Sequence, residues 1–366
     1  MKKSRKPTLP SRGAAAASKP SGAPEASGNA SAALAKSWRS IVGLGGAPRA
    51  DAYVAEASGL LSRSQIKARA AVIRVNGAEV KPSRPLKEGD ELEVLWEEEP
   101  PDPALAEDIP LSILHEDERV VVVDKAQGMV THPGAGNKHG TLANALLFLV
   151  QREAAARAPT SLAPASLPEP ARAPASRGGI VHRLDKDTSG VIIAAKDLEA
   201  QVILAEQFKG RLARKEYLAI VRGKRLPASG RIADRLGRDR RDRKRFASVA
   251  EGGKAAITEY RVLSSWATAA NSGDCYALVS LRPRTGRTHQ LRVHMAGLGA
   301  PILGDPIYGR KDDRFPGAML MLHAYRLRIR LPGKEESSLF KAPVPARFKE
   351  MVAALNAVFG PGLRPT

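Results

Sequence analysis

The stretch that decides the fold is a polar turn that runs directly into an apolar strand. The turn reads His182-Arg183-Leu184-Asp185-Lys186-Asp187-Thr188-Ser189-Gly190, and the strand reads Val191-Ile192-Ile193-Ala194-Ala195. The turn is unsuited to a protein core, because it combines an arginine, two carboxylates and a glycine. At the mouth of a buried strand it holds charge on a rigid edge, which favours a functional site centred on Asp185.

The segments around this turn predict an α+β fold. Short runs rich in β-branched and aromatic residues follow one another with little helix between them, at residues 119–124, 217–221, 257–263, 276–281 and 325–331. Strands in direct succession favour a mostly antiparallel sheet with flanking helices over a doubly wound parallel sheet. We expect this domain to span residues 109–360, with a helix that begins at Thr141 and an Ala-, Pro- and Ser-rich surface insertion at residues 152–176.

Three segments precede this domain. The composition of residues 1–46, rich in Ala, Ser, Gly, Pro and Lys, predicts a disordered basic tail. Residues 47–98 combine two short helical patterns with strand runs around the hairpin signal Asn76-Gly77, which predicts a small α+β domain. We interpret the acidic, proline-containing residues 99–108 as a linker.

The bulk composition indicates the class of partner. The chain of 366 residues carries a net charge of +20, and such an excess favours a polyanionic partner, most often nucleic acid. A membrane partner is not expected, because no apolar run approaches the roughly 18–20 residues of a spanning helix. A single cysteine, Cys275, excludes an internal disulfide and a cysteine-based metal site, which together with the missing signal peptide predicts a cytoplasmic protein.

Further motifs accompany the turn at residues 182–190. They are the segment 124–133 around Asp124-Lys125 and His132-Pro133, the segment Arg214-Lys215-Glu216-Tyr217, and the segment 284–294 that begins Arg284-Thr285-Gly286-Arg287, followed by Gly304-Asp305 and Tyr308-Gly309. In this order the motifs resemble those of the RluA-type pseudouridine synthases, and in particular their RluD-like branch. The resemblance extends from about residue 109 to residue 348.

This resemblance implies an isomerase that converts uridine to pseudouridine in structured RNA, with large-subunit ribosomal RNA as the expected substrate. Asp185 corresponds to the catalytic carboxylate, which attacks the ribose or the base or abstracts a proton. Tyr217 would offer a flat face for the uracil and a hydroxyl, and Arg287 the guanidinium that keeps Asp185 charged. Arg183 would fill the gap left in the RNA or hold a phosphate. The reaction needs no cofactor, since it involves no redox step and no external energy source.

The small domain at residues 47–98 also resembles a known family. Ser62-Arg63-Ser64-Gln65, Val75-Asn76-Gly77 and Glu88-Gly89-Asp90 are similar to segments of the S-four-type RNA-binding domain. This resemblance implies that Arg63, Lys67 and Arg69 contact RNA phosphates. We interpret the basic run at residues 238–245 as a further RNA-facing loop, and we expect the protein to act as a monomer.

Several alternatives stay open. Asp185 could be a turn carboxylate that caps Ser189-Gly190, and Tyr217 could be ordinary strand core. A non-catalytic RNA-binding protein, a methyltransferase that uses the Gly cluster at residues 43–46 and a kinase are the rival functions, and the last two lack the remaining parts of their motifs. His289 and His294 are five residues apart, the wrong spacing for one helical face, so we expect structural imidazoles and no metal site.

Overall fold

The computed structural model of the protein describes residues 34–58, 60, 61, 63–68, 70–98, 105–134, 136–157, 178–239, 242, 245–267 and 275–364. The chain divides into two compact units between Asp102 and Pro103, inside the segment that we interpreted as a linker. None of the helices in these ranges is both long and apolar enough to cross a membrane.

The first unit is a four-stranded antiparallel sheet with two short helices. Its elements are β1 (Leu34–Ile41), α1 (Ala50–Ser58), α2 (Arg63–Ala68), β2 (Val72–Val75), β3 (Ala78–Val80) and β4 (Glu91–Glu98), and the strand order is β1-β4-β2-β3. Ile66 of α2 is buried against Ile73 and Val94 of the sheet. Asn76 and Gly77 have φ values of 51° and 79°, the left-handed conformations of a tight hairpin, which agrees with the Asn-Gly signal.

Strand β1 lies within the segment that was predicted to be a disordered tail. It pairs with β4 in the register Leu34↔Glu98 to Ile41↔Glu91, so the prediction of a disordered segment is wrong for residues 34–41. Trp38 packs against the core of this unit, and Arg39 pairs with Glu93 across the strands at 2.6 Å. The composition did not reveal the strand, because residues 34–41 are ordered by pairing with β4, which begins 50 positions after the end of β1. Residues 1–33 of the tail lie outside the described residues.

The second unit is built on a ten-stranded sheet with the order β10-β9-β11-β12-β8-β13-β7-β6-β5, and β14 pairs with β13. Every strand pair is antiparallel except β7 with β13, which confirms the α+β class with a mostly antiparallel sheet. The elements are β5 (Ser112–Glu116), β6 (Val120–Lys125), α3 (Leu142–Arg157), β7 (Ser189–Ala195), α4 (Leu198–Lys209), β8 (Arg214–Gly223), β9 (Ser229–Arg238), β10 (Phe246–Ser248), β11 (Lys254–Ala267), β12 (Cys275–Pro283), α5 (Gln290–Gly297), β13 (Leu322–Arg330), β14 (Ser337–Lys341) and α6 (Ala346–Phe359).

Helix α3 extends into the segment that was predicted to be a surface insertion. The hydroxyl of Thr141 accepts a hydrogen bond from the backbone N–H of Asn144 at 3.4 Å, as expected for a helix that begins there. The helix continues to Arg157, so the first residues of the predicted insertion 152–176 are helical. Residues 158–177 lie outside the described residues.

Strand β7 is buried on both faces, which explains its uninterrupted apolar sequence. Ile193 packs on one face with Leu204 of α4, and Ile192 packs on the other with Leu146 of α3. A strand covered on both sides needs apolar residues at every position. The turn at residues 182–188 therefore leads into one of the most constrained strands of the molecule.

Gly190 fixes the junction between β7 and β13. Its φ of 118° lies in the region that favours glycine, and a Cβ added there would lie 2.2 Å from the backbone oxygen of Ala324. Only glycine allows the two backbones to approach this closely. The junction sets the position of Asp185, five residues earlier in the chain.

We predict that Gly190→Ala destabilises the protein far more than the control substitution Gly333→Ala. Gly333 also has a positive φ, of 76°, but a Cβ at that position meets nothing within 4 Å. The control should cost about 1 kcal/mol from backbone strain alone, and Gly190→Ala about 3 kcal/mol or more because a clash is added. Urea denaturation of both variants measures the difference, and equal losses would contradict the close approach.

Candidate active site

The turn at residues 182–188 fixes the backbone of Asp185 and leaves its carboxylate accessible. Leu184 is buried, and its carbonyl accepts a hydrogen bond from the hydroxyl of Thr131 at 2.7 Å. The N–H of Thr188 donates to the carbonyl of Asp185 at 3.1 Å. The Asp185 side chain is 19% exposed, so a rigid backbone presents a carboxylate that a substrate can reach.

A buried arginine lies against this carboxylate. Nη1 of Arg292 is 3.4 Å from Oδ2 of Asp185, and the Arg292 side chain is 5% exposed. Nε and Nη2 of Arg292 donate to the two carboxylate oxygens of Asp305 at 2.8 and 2.7 Å. Asp305 therefore holds the guanidinium by a bidentate pair, and the remaining edge of the same guanidinium faces Asp185.

Asp305 is itself held in the charged form. Its burial opposes charge, but hydrogen bonds from Arg292 and from the N–H groups of Ile307 and Tyr308 outweigh that effect and lower its pKa. Burial likewise opposes the charge of Arg292, and the hydrogen bonds to Asp305 raise its pKa overall. The pair is thus a fixed ionic support behind Asp185.

This arrangement corrects the prediction that Arg287 is the guanidinium beside Asp185. Arg287 lies before helix α5, where its Nε donates to the carbonyl of Ala255 at 3.1 Å and its N–H donates to Gln290 at 3.0 Å. Arg292 is on the buried face of α5 and points towards the turn that holds Asp185. Both arginines belong to one motif, and the sequence signal for the right one was Asp305, the acid that follows it.

His289 is a site residue that sequence reasoning assigned to a structural role. Its Nε2 lies 3.9 Å from Oδ2 of Asp185, and its Nδ1 lies 2.9 Å from the hydroxyl of Tyr308. That hydroxyl accepts the N–H of Phe246 at 2.8 Å, which leaves its own hydrogen for Nδ1 of His289. We therefore assign the ring hydrogen of the neutral imidazole to Nε2, on the side of Asp185.

The backbone and the protonation state of His289 are consistent with this role. Its φ of 56° lies in the left-handed region, which costs on the order of 1 kcal/mol in a residue other than glycine. Burial lowers the pKa of His289 despite the opposing effect of Asp185, so the ring is neutral at neutral pH. The geometry is therefore that of a constrained, neutral donor beside the carboxylate.

Tyr217 lies in the same cavity as Asp185. It comes from β8 and is partly exposed there. Burial first, and the charge of Asp185 second, raise the pKa of Tyr217 above its usual value, so the phenol stays neutral at neutral pH. The side chain offers a flat face and a hydroxyl hydrogen, and does not act as an anionic base.

The buried side chain of Lys125 is hydrogen-bonded to the turn that holds Asp185. Its Nζ is buried and donates to the carbonyls of Ala126, Met129 and Lys186 at 2.9, 2.8 and 3.1 Å. Burial lowers the pKa of Lys125 to about 8, although Asp187 and Asp185 act in the opposite direction. The ammonium ties the segment after β6 to the residue that follows Asp185.

Asp185, Tyr217, His289 and Arg292 line a cavity of about 510 Å³, a size typical of small-molecule sites. Asp185 is the only acid among the described residues that line it, against seven cations: Arg183, Lys209, Arg211, Lys215, Arg284, Arg287 and Arg292. Arg183, predicted to contact RNA, is exposed at this cavity. One accessible carboxylate in a strongly cationic cavity suits a substrate that carries several negative charges.

Of the residues of the first unit that were predicted to contact RNA, the structure describes Arg63 and Lys67. Arg63 on α2 pairs with Asp51 at 3.1 Å, and Lys67 is exposed on the same helix. Arg69 lies outside the described residues, as do four positions of the basic run 238–245. Among the residues that the structure describes, no group of three or more His, Cys, Asp and Glu side chains could hold a metal ion.

Comparison with known proteins identifies the family. Residues 119–297 match the family model described as RNA pseudouridylate synthase. The ribosomal large subunit pseudouridine synthase D of Borreliella burgdorferi is 40% identical over 306 residues, which cover 82% of this chain and 87% of the relative. The chain belongs to the RNA pseudouridylate synthase family.

Other family members give similar values. The ribosomal large subunit pseudouridine synthase D of Xanthomonas campestris is 37% identical, with 84% of this chain and 89% of the relative covered. The solved structure of human RNA pseudouridylate synthase domain containing 4 is 27% identical, covers 67% of this chain and 93% of its own, and has a TM-score of 0.49. The family resemblance drawn from the four motifs is confirmed.

We predict that His182 makes the protein less stable in acid. Its ring stacks on Phe208 with centroids 4.4 Å apart, its Nε2 accepts the N–H of Ile193 at 3.0 Å, and burial lowers its pKa to about 3. Because the unfolded chain takes up this proton near pH 6.5, the stabilisation is complete above that pH. It is lost as the pH falls towards 3, and it decreases by about 1–2 kcal/mol between pH 6.5 and 5.

The variant His182→Gln keeps an acceptor for Ile193 but does not titrate. The difference in unfolding free energy between wild type and variant, measured by urea denaturation at several pH values, should therefore change over this range. A difference that stays constant from pH 7 to pH 5 would show that His182 titrates normally in the folded protein.

Proposed function

We propose that this protein is an RNA pseudouridine synthase that isomerises uridine in large-subunit ribosomal RNA. The relatives named as ribosomal large subunit pseudouridine synthases support this substrate class. The observation that carries the proposal is the contact of Asp185 with the buried Arg292, in a cavity whose other Lys, Arg, Asp and Glu residues are all cations among the described residues. RNA supplies the negative charge for which such a cavity is suited.

Asp185 is the proposed catalytic carboxylate. The isomerisation breaks the bond between N1 and C1′ and forms one between C5 and C1′, while a proton leaves C5 and another is gained at N1. A carboxylate can attack C1′, attack the base or abstract the proton at C5, and each path requires it to be ionised when the base arrives. Nη1 of Arg292 lies 3.4 Å and Nε2 of His289 lies 3.9 Å from Oδ2 of Asp185, so both groups face the carboxylate where the base would arrive.

The pair between Arg292 and Asp305 preorganises the environment of Asp185. Arg292 is fixed by Asp305, so no large reorientation of the guanidinium is needed when charge on the carboxylate changes during the reaction. Tyr217 contributes a neutral aromatic face on which the uracil stacks, and a hydroxyl for proton transfer. We assign catalytic roles to Asp185 and Tyr217, and a positioning role to Arg292.

The cations of the cavity are proposed to bind RNA phosphates and so to favour extrusion of the uridine from the base stack. Extruding a base costs a few kcal/mol, which phosphate contacts offset. Arg183 is exposed next to Asp185, where it either fills the gap in the RNA or holds a phosphate of the extruded nucleotide. Arg287 and Arg284 lie on the same cavity and are proposed phosphate contacts.

The first unit is proposed to be an S-four-type RNA-binding domain. Its helix α2 presents the exposed Lys67, and its Arg63 is partly neutralised by Asp51. Lys67 is therefore the better candidate for a phosphate contact on this helix, and Arg69 stays a candidate from the sequence alone. We further propose a monomer that acts in the cytoplasm, without a metal or an organic cofactor, since the isomerisation requires neither.

We predict that Asp185→Asn abolishes pseudouridine formation but retains RNA binding. The loss of the charged nucleophile should lower kcat by about three orders of magnitude or more, while the Kd for RNA changes within about twofold because the fold is unaffected. Asp187→Asn removes a carboxylate two residues away and is the matched control, with near wild-type turnover. Mass spectrometry of transcribed ribosomal RNA measures the product, and full turnover by Asp185→Asn would refute the assignment.

We predict that Arg292→Lys is more harmful to catalysis than Arg287→Lys. A lysine at position 292 keeps the charge but cannot bind both oxygens of Asp305 and face Asp185 at the same time. Single-turnover rates should therefore fall about tenfold or more for Arg292→Lys, and less for Arg287→Lys. A larger fall in rate for Arg287→Lys than for Arg292→Lys would indicate that Arg287, and not Arg292, acts on Asp185.

A further inference from the structure

A second cavity, of about 330 Å³, lies on the sheet of the second unit. We call it the arginine groove, because six arginines line it: Arg211, Arg214, Arg282, Arg284, Arg326 and Arg328. The only acid among the described residues that line it is Glu216. None of the motif residues that form the ionic network of Asp185 belongs to this groove.

Strand register explains how the arginines share one face. Arg328 on β13 pairs directly with Arg214 on β8, and Arg326 pairs with Glu216. Since side chains alternate along a strand, Lys215 and Tyr217 project from the other face of β8. The open face of three adjacent strands, β12, β8 and β13, thus carries a cationic row that runs across the sheet.

The positive charge of the groove is only partly neutralised. Glu216 is shared between Arg282 at 3.5 Å and Arg326 at 3.6 Å, and Arg284 pairs with Glu259 at 2.8 Å. Arg214 and Arg328 are exposed and have no acidic partner among the described residues. Like charges directly opposite each other on neighbouring strands are destabilising, so this pair weakens the sheet unless an anion lies across it.

The groove is continuous with the cavity of Asp185. Both cavities are lined by Arg211, Ala213, Lys215, Pro283 and Arg284, around the beginning of β8 and the end of β12. A polymer that leaves the first cavity reaches the second by passing this end of the sheet. Neighbouring strands are about 4.8 Å apart, so the arginines on β12 and β13 are about 10 Å apart, a distance that two or three successive phosphates of an RNA strand can span.

We propose that the arginine groove binds the phosphates of the two or three nucleotides next to the extruded uridine. The proposal rests on the proposed function, because it takes RNA as the polymer in the cavity of Asp185. Arginine suits this role, since its planar guanidinium binds phosphate oxygens in a bidentate manner. The groove thereby fixes the direction in which the RNA backbone leaves the catalytic cavity.

The test is the double variant Arg214→Gln/Arg328→Gln of the full chain, with transcribed large-subunit ribosomal RNA as the probe. Filter binding at several KCl concentrations gives Kd and its salt dependence. Removal of two phosphate contacts should weaken binding about tenfold near 0.1 M salt and reduce the slope of log Kd against log[KCl] by about 1.5. The apparent KM for pseudouridine formation should rise by a larger factor than kcat falls.

Two further variants separate a specific site from general charge. Arg225→Gln/Lys349→Gln removes two exposed cations outside the groove and should leave Kd and its salt slope unchanged. Arg214→Lys/Arg328→Lys keeps the charge and should restore most of the slope. Circular dichroism of each variant checks that the sheet is intact.

The outcomes distinguish the two proposals. Binding and salt slope that match wild type in Arg214→Gln/Arg328→Gln would overturn the groove, even if pseudouridine still forms. An equal loss in Arg225→Gln/Lys349→Gln would also overturn it, because the effect would then reflect net charge. Absence of pseudouridine with the wild-type protein would instead overturn the proposed function, whatever the binding data show.

Discussion

The site depends on one buried ionic contact, the pair between Arg292 and Asp305. A buried guanidinium is costly unless it is paired and hydrogen-bonded, and Asp305 meets that requirement with two short bonds. The pair leaves one edge of Arg292 for Asp185, so helix α5, the loop that holds Asp305 and the turn before β7 must meet in one arrangement. The conformation of the site is thereby coupled to the packing of the second unit.

The sheet gives this contact a rigid frame. Strand β7 is buried between α3 and α4, and Gly190 brings it against β13, so the turn with Asp185 has little freedom to move. Strand β8 contributes to two environments because its side chains alternate: Tyr217 faces the catalytic cavity, Arg214 and Glu216 face the arginine groove, and Lys215 lines both. Strand β8 thus carries residues for both the proposed catalysis and the proposed RNA binding.

Predictions from sequence succeeded where local chemistry decides the outcome and failed where distant segments meet. The hairpin at Asn76-Gly77, the helix after Thr141 and the antiparallel sheet followed from turn residues, caps and short apolar runs. Strand β1 was missed because its order comes from pairing with β4. The sequence predicts Arg287 as the guanidinium and a structural role for His289, because linear spacing does not reveal which side of a helix faces a carboxylate more than 100 positions away.

By itself the sequence determined the fold class, the family and the identity of the carboxylate at the mouth of β7, since these depend on residue types in a fixed order. Only the tertiary structure decided which guanidinium meets Asp185, which nitrogen of His289 faces it and which arginines share one face of the sheet. The physical reason is that charge acts through space: a pair of side chains a few ångströms apart stabilises or opposes charge regardless of their separation along the chain.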